Sequence, residues 1–144
     1  MSLVTSTAYA HVRITVTDIE RSKAFYDNLF GLPVAIDARE HGSEPGVEGA
    51  PEKFYGGVVY LMPQGTLFGL RPVGGDGFDP NRTGLDHVSF MVESREALGA
   101  AHEALHGTDI VHGEIIELAD AGLAILSIQD PDDINLELTA PLAG

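Results

Sequence analysis

The chain has no cysteine and no tryptophan, and only eight of its 144 residues are lysine or arginine. Without thiols there is no disulfide framework, no thiolate nucleophile and no cysteine-based zinc site, so any metal ligands must be histidine and carboxylate. Against the eight basic residues stand twenty-two Asp and Glu, a net charge of −14. That balance opposes phosphate backbones and anionic lipid, which argues against nucleic acid and membrane surfaces as partners. No apolar run is long enough to span a bilayer. The first ten residues, MSLVTSTAYA, lack the basic segment and long apolar core of a secretory signal, so a cytoplasmic location is expected. With 44% apolar and 21% charged residues the chain reads as globular, and its length fits one compact domain over residues 1–144.

The residues that are present fall into an order that repeats. In HVRITVT (11–17), Val12, Ile14 and Val16 share one face and His11, Arg13 and Thr15 the other, as in a strand between two environments. A helix follows, with Thr17 and Glu20 at capping-box spacing, a stripe of Ile19, Phe25 and Leu29, and Gly31 at the stop. LPVAID (32–37) is the next strand, and residues 38–53, rich in Gly, Pro and charge without a period, read as a surface loop or flap. FYGGVVYLM and TLFGLRP are strands around the turn PQG, and residues 73–84 form a connector. The second half then gives strand LDHVSFMV (85–92), a helix capped by Ser94 with Leu98, Ala101 and Leu105 before Gly107, and strands at DIVHGEIIEL, GLAILSIQ and INLELT.

Each half is strand, helix, strand, strand, strand, giving module one at about 8–72, the connector at about 73–84 and module two at about 85–141. The two HV pairs stand 76 positions apart, whereas Pro63 and Pro131 near the ends of the halves stand 68 apart. The eight additional residues of the first half belong to its long loop. In this register His11 matches His87, and Gly69 matches Glu137. Alternation puts His87 opposite Val88 and Phe90, and Glu137 opposite Leu136 and Leu138, so His11, His87 and Glu137 all lie on the face away from the helices.

The segments HVRITVTDIERSKAFYDNLFGLPV, GLDHVSFMV and ILSIQDPDDINLELTAP resemble the vicinal oxygen chelate superfamily, which includes glyoxalases, extradiol dioxygenases, fosfomycin-resistance enzymes and bleomycin-binding proteins. The resemblance implies an α+β fold in which two pseudo-symmetric βαβββ modules form a curled mixed sheet around a cup. It also implies metal ligands at His11, His87 and Glu137. A fourth ligand, present in glyoxalases, would fall at or beside Gly69, which cannot supply it. Two imidazoles and one carboxylate make a facial triad that leaves several positions open on a divalent ion such as Fe2+, Mn2+, Zn2+ or Ni2+. Such a site takes a small substrate with vicinal oxygens, and dioxygenase-like, isomerase-like and lyase-like chemistry all stay open. The missing carboxylate disfavours glyoxalase chemistry unless the fourth ligand enters from elsewhere. The turn DPDDI carries Asp133 where the family commonly has glycine, and a one-residue slip there would turn Glu137 away from the cup.

Arg71 shares the strand parity of Gly69. It is either a cup residue for an anionic substrate group or an exposed residue at a strand end. Tyr60 is a candidate hydrogen-bond donor to substrate or a packed core tyrosine. Arg13 is either a cup residue like Arg71 or, the favoured reading, a structural partner of an interior acid, and His41 in the loop is a candidate acid or base. His102 and His106 have metal-binding i, i+4 spacing but no accompanying carboxylate motif, and read as a solvated helix face; His112 has no assigned role. The GGDG of the connector lacks a P-loop lysine. A homodimer is expected from the resemblance. The alternative function is that of a metal-free, bleomycin-resistance-like protein that sequesters a ligand, to which an acidic chain offers a home for a cation.

Overall fold

The computed structural model describes residues 2–143, which divide after Asp76 into two compact units, within the 73–84 connector. The first unit runs β1 (His11–Thr15), α1 (Ile19–Phe30), β2 (Val34–Asp37), β3 (Val58–Leu61) and β4 (Leu67–Arg71). The second runs β5 (Val88–Met91), α2 (Arg95–His106), β6 (Ile116–Leu118), β7 (Leu123–Gln129) and β8 (Asn135–Pro141). Each forms a four-stranded mixed sheet, in the orders β1-β4-β3-β2 and β5-β8-β7-β6. First and last strands run parallel in both, because the helix crosses over between the first strand and the rest.

Cross-strand pairing confirms the repeat register residue by residue. Arg13 pairs with Gly69 and Ser89 pairs with Glu137, so the offsets of 76 and 68 meet at one cross-strand pair. Gly69 and Glu137 occupy equivalent places.

In unit one the apolar face of the sheet is buried: Ile14, Val58, Tyr60, Phe68 and Leu70 are all 3% exposed or less. Tyr26 of α1 packs edge-on against Phe68 at 5.2 Å between ring centroids. The helix buries Ser22 and Tyr26, four apart, while the expected stripe of Ile19, Phe25 and Leu29 flanks that line and is half-buried. Asp18, not Thr17, is the N-cap: its carboxylate accepts from the Arg21 backbone N–H at 3.1 Å. Thr17 instead accepts from the Arg21 guanidinium at 3.0 Å.

Residues 38–53, expected as a flap, fold with their neighbours into three short 3-10 turns at Arg39–His41, Val47–Gly49 and Pro51–Gly56. Buried Ala38 and Val47 anchor them, and Lys53 bridges to Glu44 at 2.9 Å.

In unit two α2 packs on β7 and β8 through fully buried Leu98 and buried Leu105, and Ser94 caps it by accepting from Ala97 N–H at 3.0 Å, as expected. The expected strand DIVHGEIIEL shortens to Ile116–Leu118, with one isolated bridge from His112 to Ile128. Gly113 approaches β7 so closely that a β-carbon there would lie 2.6 Å from Ser127 Oγ, and regular pairing resumes only at Ile116.

Candidate functional site

Strand β8 fixes Glu137 by alternation: Leu136 and Leu138 are 1% and 4% exposed on the α2 side, and the carboxylate points to the other face between Ser89 and Ser127. The turn before the strand holds this register. Asp130, 3% exposed, accepts from the backbone N–H groups of Asp132 at 2.8 Å and Ile134 at 2.9 Å. Asp133 takes the left-handed conformation at φ 60°, which Asp tolerates better than most residues, so aspartate stands in for glycine without a slip.

His87 lies one residue before β5 rather than inside it. Its Nδ1 donates to Asp86 Oδ1 at 2.6 Å, which leaves the Nε2 lone pair free, and Nε2 stands 3.7 Å from Glu137 Oε1. That separation is too long for a hydrogen bond. A carboxylate on the far nitrogen is the arrangement that orients metal-binding histidines and raises their basicity. Asp86 is a part the sequence reading missed, though it stands next to His87. Glu137 Oε1 accepts from Thr139 Oγ1 at 3.3 Å, and the Thr139 hydroxyl contacts that of Ser89.

In unit one His11 opens β1, exposed and on the face away from α1, as the alternation implies. Gly69 lies on that face beside Arg13, whose side chain fills its space: a β-carbon on Gly69 would meet Arg13 Nε at 3.1 Å and Cγ at 3.4 Å. The space in front of Gly69 is taken up by an arginine stem.

Arg71 is on the same face, half-buried, and its guanidinium lies over the Tyr55 ring with Cζ 4.0 Å from the centroid. Arg13 Cζ is 5.3 Å from the same ring. Arg71 donates from one Nη to the Glu48 carbonyl at 2.8 Å, and its buried Nε has no hydrogen-bond partner. Among the described residues neither arginine pairs with a carboxylate. Tyr55 was unreadable from the sequence, because its position depends on two successive non-glycine residues in the left-handed region, Phe54 at φ 48° and Tyr55 at φ 57°. Strain of this kind costs about 1–3 kcal/mol per residue and concentrates at functional surfaces.

Tyr60 is placed elsewhere. It pairs with Phe68 on the helix side of the sheet, is 1% exposed, and donates its hydroxyl to Asp27 Oδ1 at 2.9 Å. Burial, with the Asp27 hydrogen bond next, pushes the phenol far above its ordinary pKa, while Lys23 and then Tyr60 hold Asp27 low. The reading of Tyr60 as a substrate donor is therefore set aside; its hydroxyl ties β3 to α1. His41 is engaged with Glu44 and lies 3.6 Å from Glu40.

In unit two His102, His106 and His112 come together with one ring nitrogen of each within 4.8 Å of the others. The expectation of a solvated helix face fits His106 but not His102, whose side chain is only 14% exposed.

Comparison with known proteins agrees with this architecture. A sequence profile described as the Glyoxalase/Bleomycin resistance protein/Dioxygenase superfamily matches residues 8–138. A crystal structure of a glyoxylase/bleomycin resistance protein/dioxygenase domain from Frankia sp. EAN1pec is 27% identical, with a TM-score of 0.75 over 97% of this chain and 96% of that one. The fold is shared with a lactoylglutathione lyase from Agrobacterium tumefaciens, 16% identical, TM-score 0.66, covering 94% of each chain. It is also shared with the Listeria monocytogenes fosfomycin resistance protein FosX, in a mutant form complexed with Mn(II) and 1S,2S-dihydroxypropylphosphonic acid. That protein is 14% identical, TM-score 0.70, over 96% of this chain and 95% of that one. No curated protein matches. With a profile match across most of its length and the same paired βαβββ order, the chain belongs to the glyoxalase/bleomycin resistance protein/dioxygenase superfamily.

Proposed function

We propose that the protein is a metal-dependent enzyme acting on a small substrate with vicinal oxygens, in which His11, His87 and Glu137 hold a divalent ion. The observation that carries this reading is His87: its Nδ1 is tied to Asp86 and its Nε2 stands 3.7 Å from Glu137 Oε1. The donor set fits such an ion, since neutral imidazole and carboxylate suit Fe2+, Mn2+, Zn2+ or Ni2+ and exclude a thiolate-selective one. When bound, the ion supplies Lewis-acid polarisation of the substrate oxygens. Asp86 holds the His87 tautomer, and Thr139 donates to Glu137 so that the carboxylate keeps its orientation.

Arg13 and Arg71 are the residues this reading assigns to an anionic group of the substrate. Two guanidiniums without carboxylate partners, braced by Tyr55, are a costly arrangement unless an anion meets them. The substrate therefore carries a carboxylate, phosphonate or phosphate group. Gly69 offers no base, so the proton-transfer step of a four-ligand glyoxalase has no group at this position. The same reading includes a cytoplasmic homodimer, consistent with Ile116 and Leu118 at 55% and 40% exposure on the edge strand β6.

The test is metal analysis of untagged protein purified without chelator, compared with His11→Ala, His87→Ala and Glu137→Gln, with solution mass read on the same samples. Each variant is expected to lose one equivalent of metal relative to the parent and to retain its fold and dimeric mass. If the parent takes up no ion beyond what the three variants take up, even with anaerobic Fe(II), Mn(II), Zn(II) or Ni(II), the metal-free ligand-sequestering reading replaces this one.

A further inference from the structure

We infer that unit two carries a second metal site, formed by His102, His106 and His112, that takes a divalent transition ion of the zinc class and clamps the end of α2 to the strand it packs on. His102 and His106 are one turn apart on the same face of α2, and His106 is its last residue. After the helix the chain turns through Thr108, whose hydroxyl donates to Leu105 O at 2.7 Å, and returns along β7. There His112 is held on both sides: Gln129 N–H donates to Val111 O at 2.9 Å, and Gly113 N–H donates to Ser127 O at 3.0 Å. Its ring closes a triangle with the helical pair. The centroid separations are 4.5 Å, 5.5 Å and 5.3 Å, with the rings 70° to 83° apart in plane.

Two of the three rings have their tautomer set by the backbone. His106 Nδ1 lies 2.9 Å from His102 O and His112 Nδ1 lies 3.0 Å from Ile110 O; a carbonyl oxygen only accepts, so both Nδ1 atoms carry the proton. Their Nε2 lone pairs are left for a ligand, the outer-shell pattern of metal-binding histidine. His102 Nε2 is buried and lies 2.9 Å from Glu114 Oε2, though out of line for a hydrogen bond. A highly exposed carboxylate thus stands at the rim as a fourth oxygen donor.

The size of the triangle fits an ion. One ring nitrogen of each histidine lies within 4.8 Å of the others, so these three atoms are no more than about 2.8 Å from a common centre, and ring rotations that present the Nε2 atoms bring them to the usual Zn–N distance of about 2.0–2.1 Å. Three imidazoles select Zn2+, Ni2+ or Cu2+ over Mg2+ and Ca2+, which prefer oxygen. The C-terminal end of α2 favours a cation, and the charge of −14 draws one in. Leu136 and Leu138 stand between this cluster's side of the sheet and the face that carries Glu137, so the two sites have no residue in common.

The experiment uses the full, untagged chain carrying His87→Ala and Glu137→Gln, which removes ligands of the proposed catalytic ion. Zn(II) is titrated in competition with a chromophoric chelator, and Co(II) is followed by its tetrahedral visible bands. One equivalent is expected, weakened at least about tenfold by adding His106→Ala or His112→Ala, with a zinc-induced rise in melting temperature that His106→Ala abolishes. Because His106 is exposed, its alanine variant keeps the fold, and it alone decides should His112→Ala not fold. Absence of stoichiometric binding, or binding unchanged in His106→Ala, overturns the inference, whatever the outcome at His11, His87 and Glu137.

Discussion

Gly57 and Gly69 differ in what a methyl group would strike. At Gly57 a β-carbon would lie 1.9 Å from the carbonyl oxygen of Leu70, which is part of the β3–β4 ladder and cannot move without breaking it. At Gly69 the obstruction is the Arg13 side chain, 3.1 Å away at Nε, which has rotamers to spare. Gly57→Ala is therefore expected to cost about 2–3 kcal/mol or more in urea unfolding, as overpacking against backbone does. Gly69→Ala should shift stability by less than about 1 kcal/mol in either direction, since relief of strand glycine offsets the crowding. Equal losses at the two positions would mean that Arg13 is as fixed as a carbonyl, and would sink the account of Gly69 as a space held by a mobile stem. That Gly69 is the counterpart of Glu137 was legible in the sequence, because both lie in strands whose register the repeat supplies. That Arg13 occupies its space was not, since a strand pattern gives the face of a side chain but not its rotamer.

At the scale of elements, the start of α1 separates pattern from geometry. Thr17 and Asp18 are adjacent capping residue types, and the Thr17–Glu20 spacing favours the wrong one. Asp18 has the extended backbone, φ −145° and ψ 107°, and its carboxylate takes the Arg21 N–H. Asp18→Ala is expected to destabilise the fold by about 1 kcal/mol. Thr17→Ala, which loses an exposed bond to a guanidinium, should stay within about 0.5 kcal/mol. Thermal melts of the two variants settle the order, and the reverse order would restore Thr17 as the cap. α2 was read more closely because Ser94 has no capping neighbour and Gly107 ends the pattern. β6 was overread for a physical reason: Ile110, Ile115 and Ile116 supply β-branched residues, but Gly113 and the bridge at His112 break the ladder between them. The same break brings His112 to α2, so an element misread at its boundary conceals the histidine cluster.

Across the whole molecule the duplication was legible and the side-chain clusters were not. The offsets recovered the element order of each half and the facing of its first and last strands, which are properties of pattern, whereas the sheet orders β1-β4-β3-β2 and β5-β8-β7-β6 come from the structure. Arg13, Tyr55 and Arg71 meet through positive φ angles at Phe54 and Tyr55 that no glycine advertises. The charge of −14 is the other whole-molecule property, and it acts on stability through self-repulsion. Against it stand a few attractive pairs. Arg39 holds Asp37 at a pKa of about 2, below the ordinary 3.8, Lys23 lowers Asp27, and Lys53 with His41 lowers Glu44. Depressed carboxylates stabilise the fold fully above their unfolded pKa values and lose that contribution as pH falls through the folded ones, here between about 4 and about 2. Acidification from pH 7 to about 5 thus leaves these pairs intact while reducing the net negative charge toward the sequence pI of about 4.5. With chelator present to remove bound ions, the melting temperature at low salt is expected to rise between pH 7 and about 5 and to fall below about 4. At pH 7, raising salt from about 0.01 M to about 0.1 M shortens the screening length from about 30 Å to about 10 Å, so it should raise the melting temperature. Near pH 4.5, where the repulsion is gone, the same addition should leave the melting temperature unchanged or lower it slightly by weakening the exposed pairs. A salt response at pH 7 that is absent or negative would show that the acidic surface is already neutralised within the fold, and that Arg39, Lys23 and Lys53 outweigh the excess of carboxylates around them.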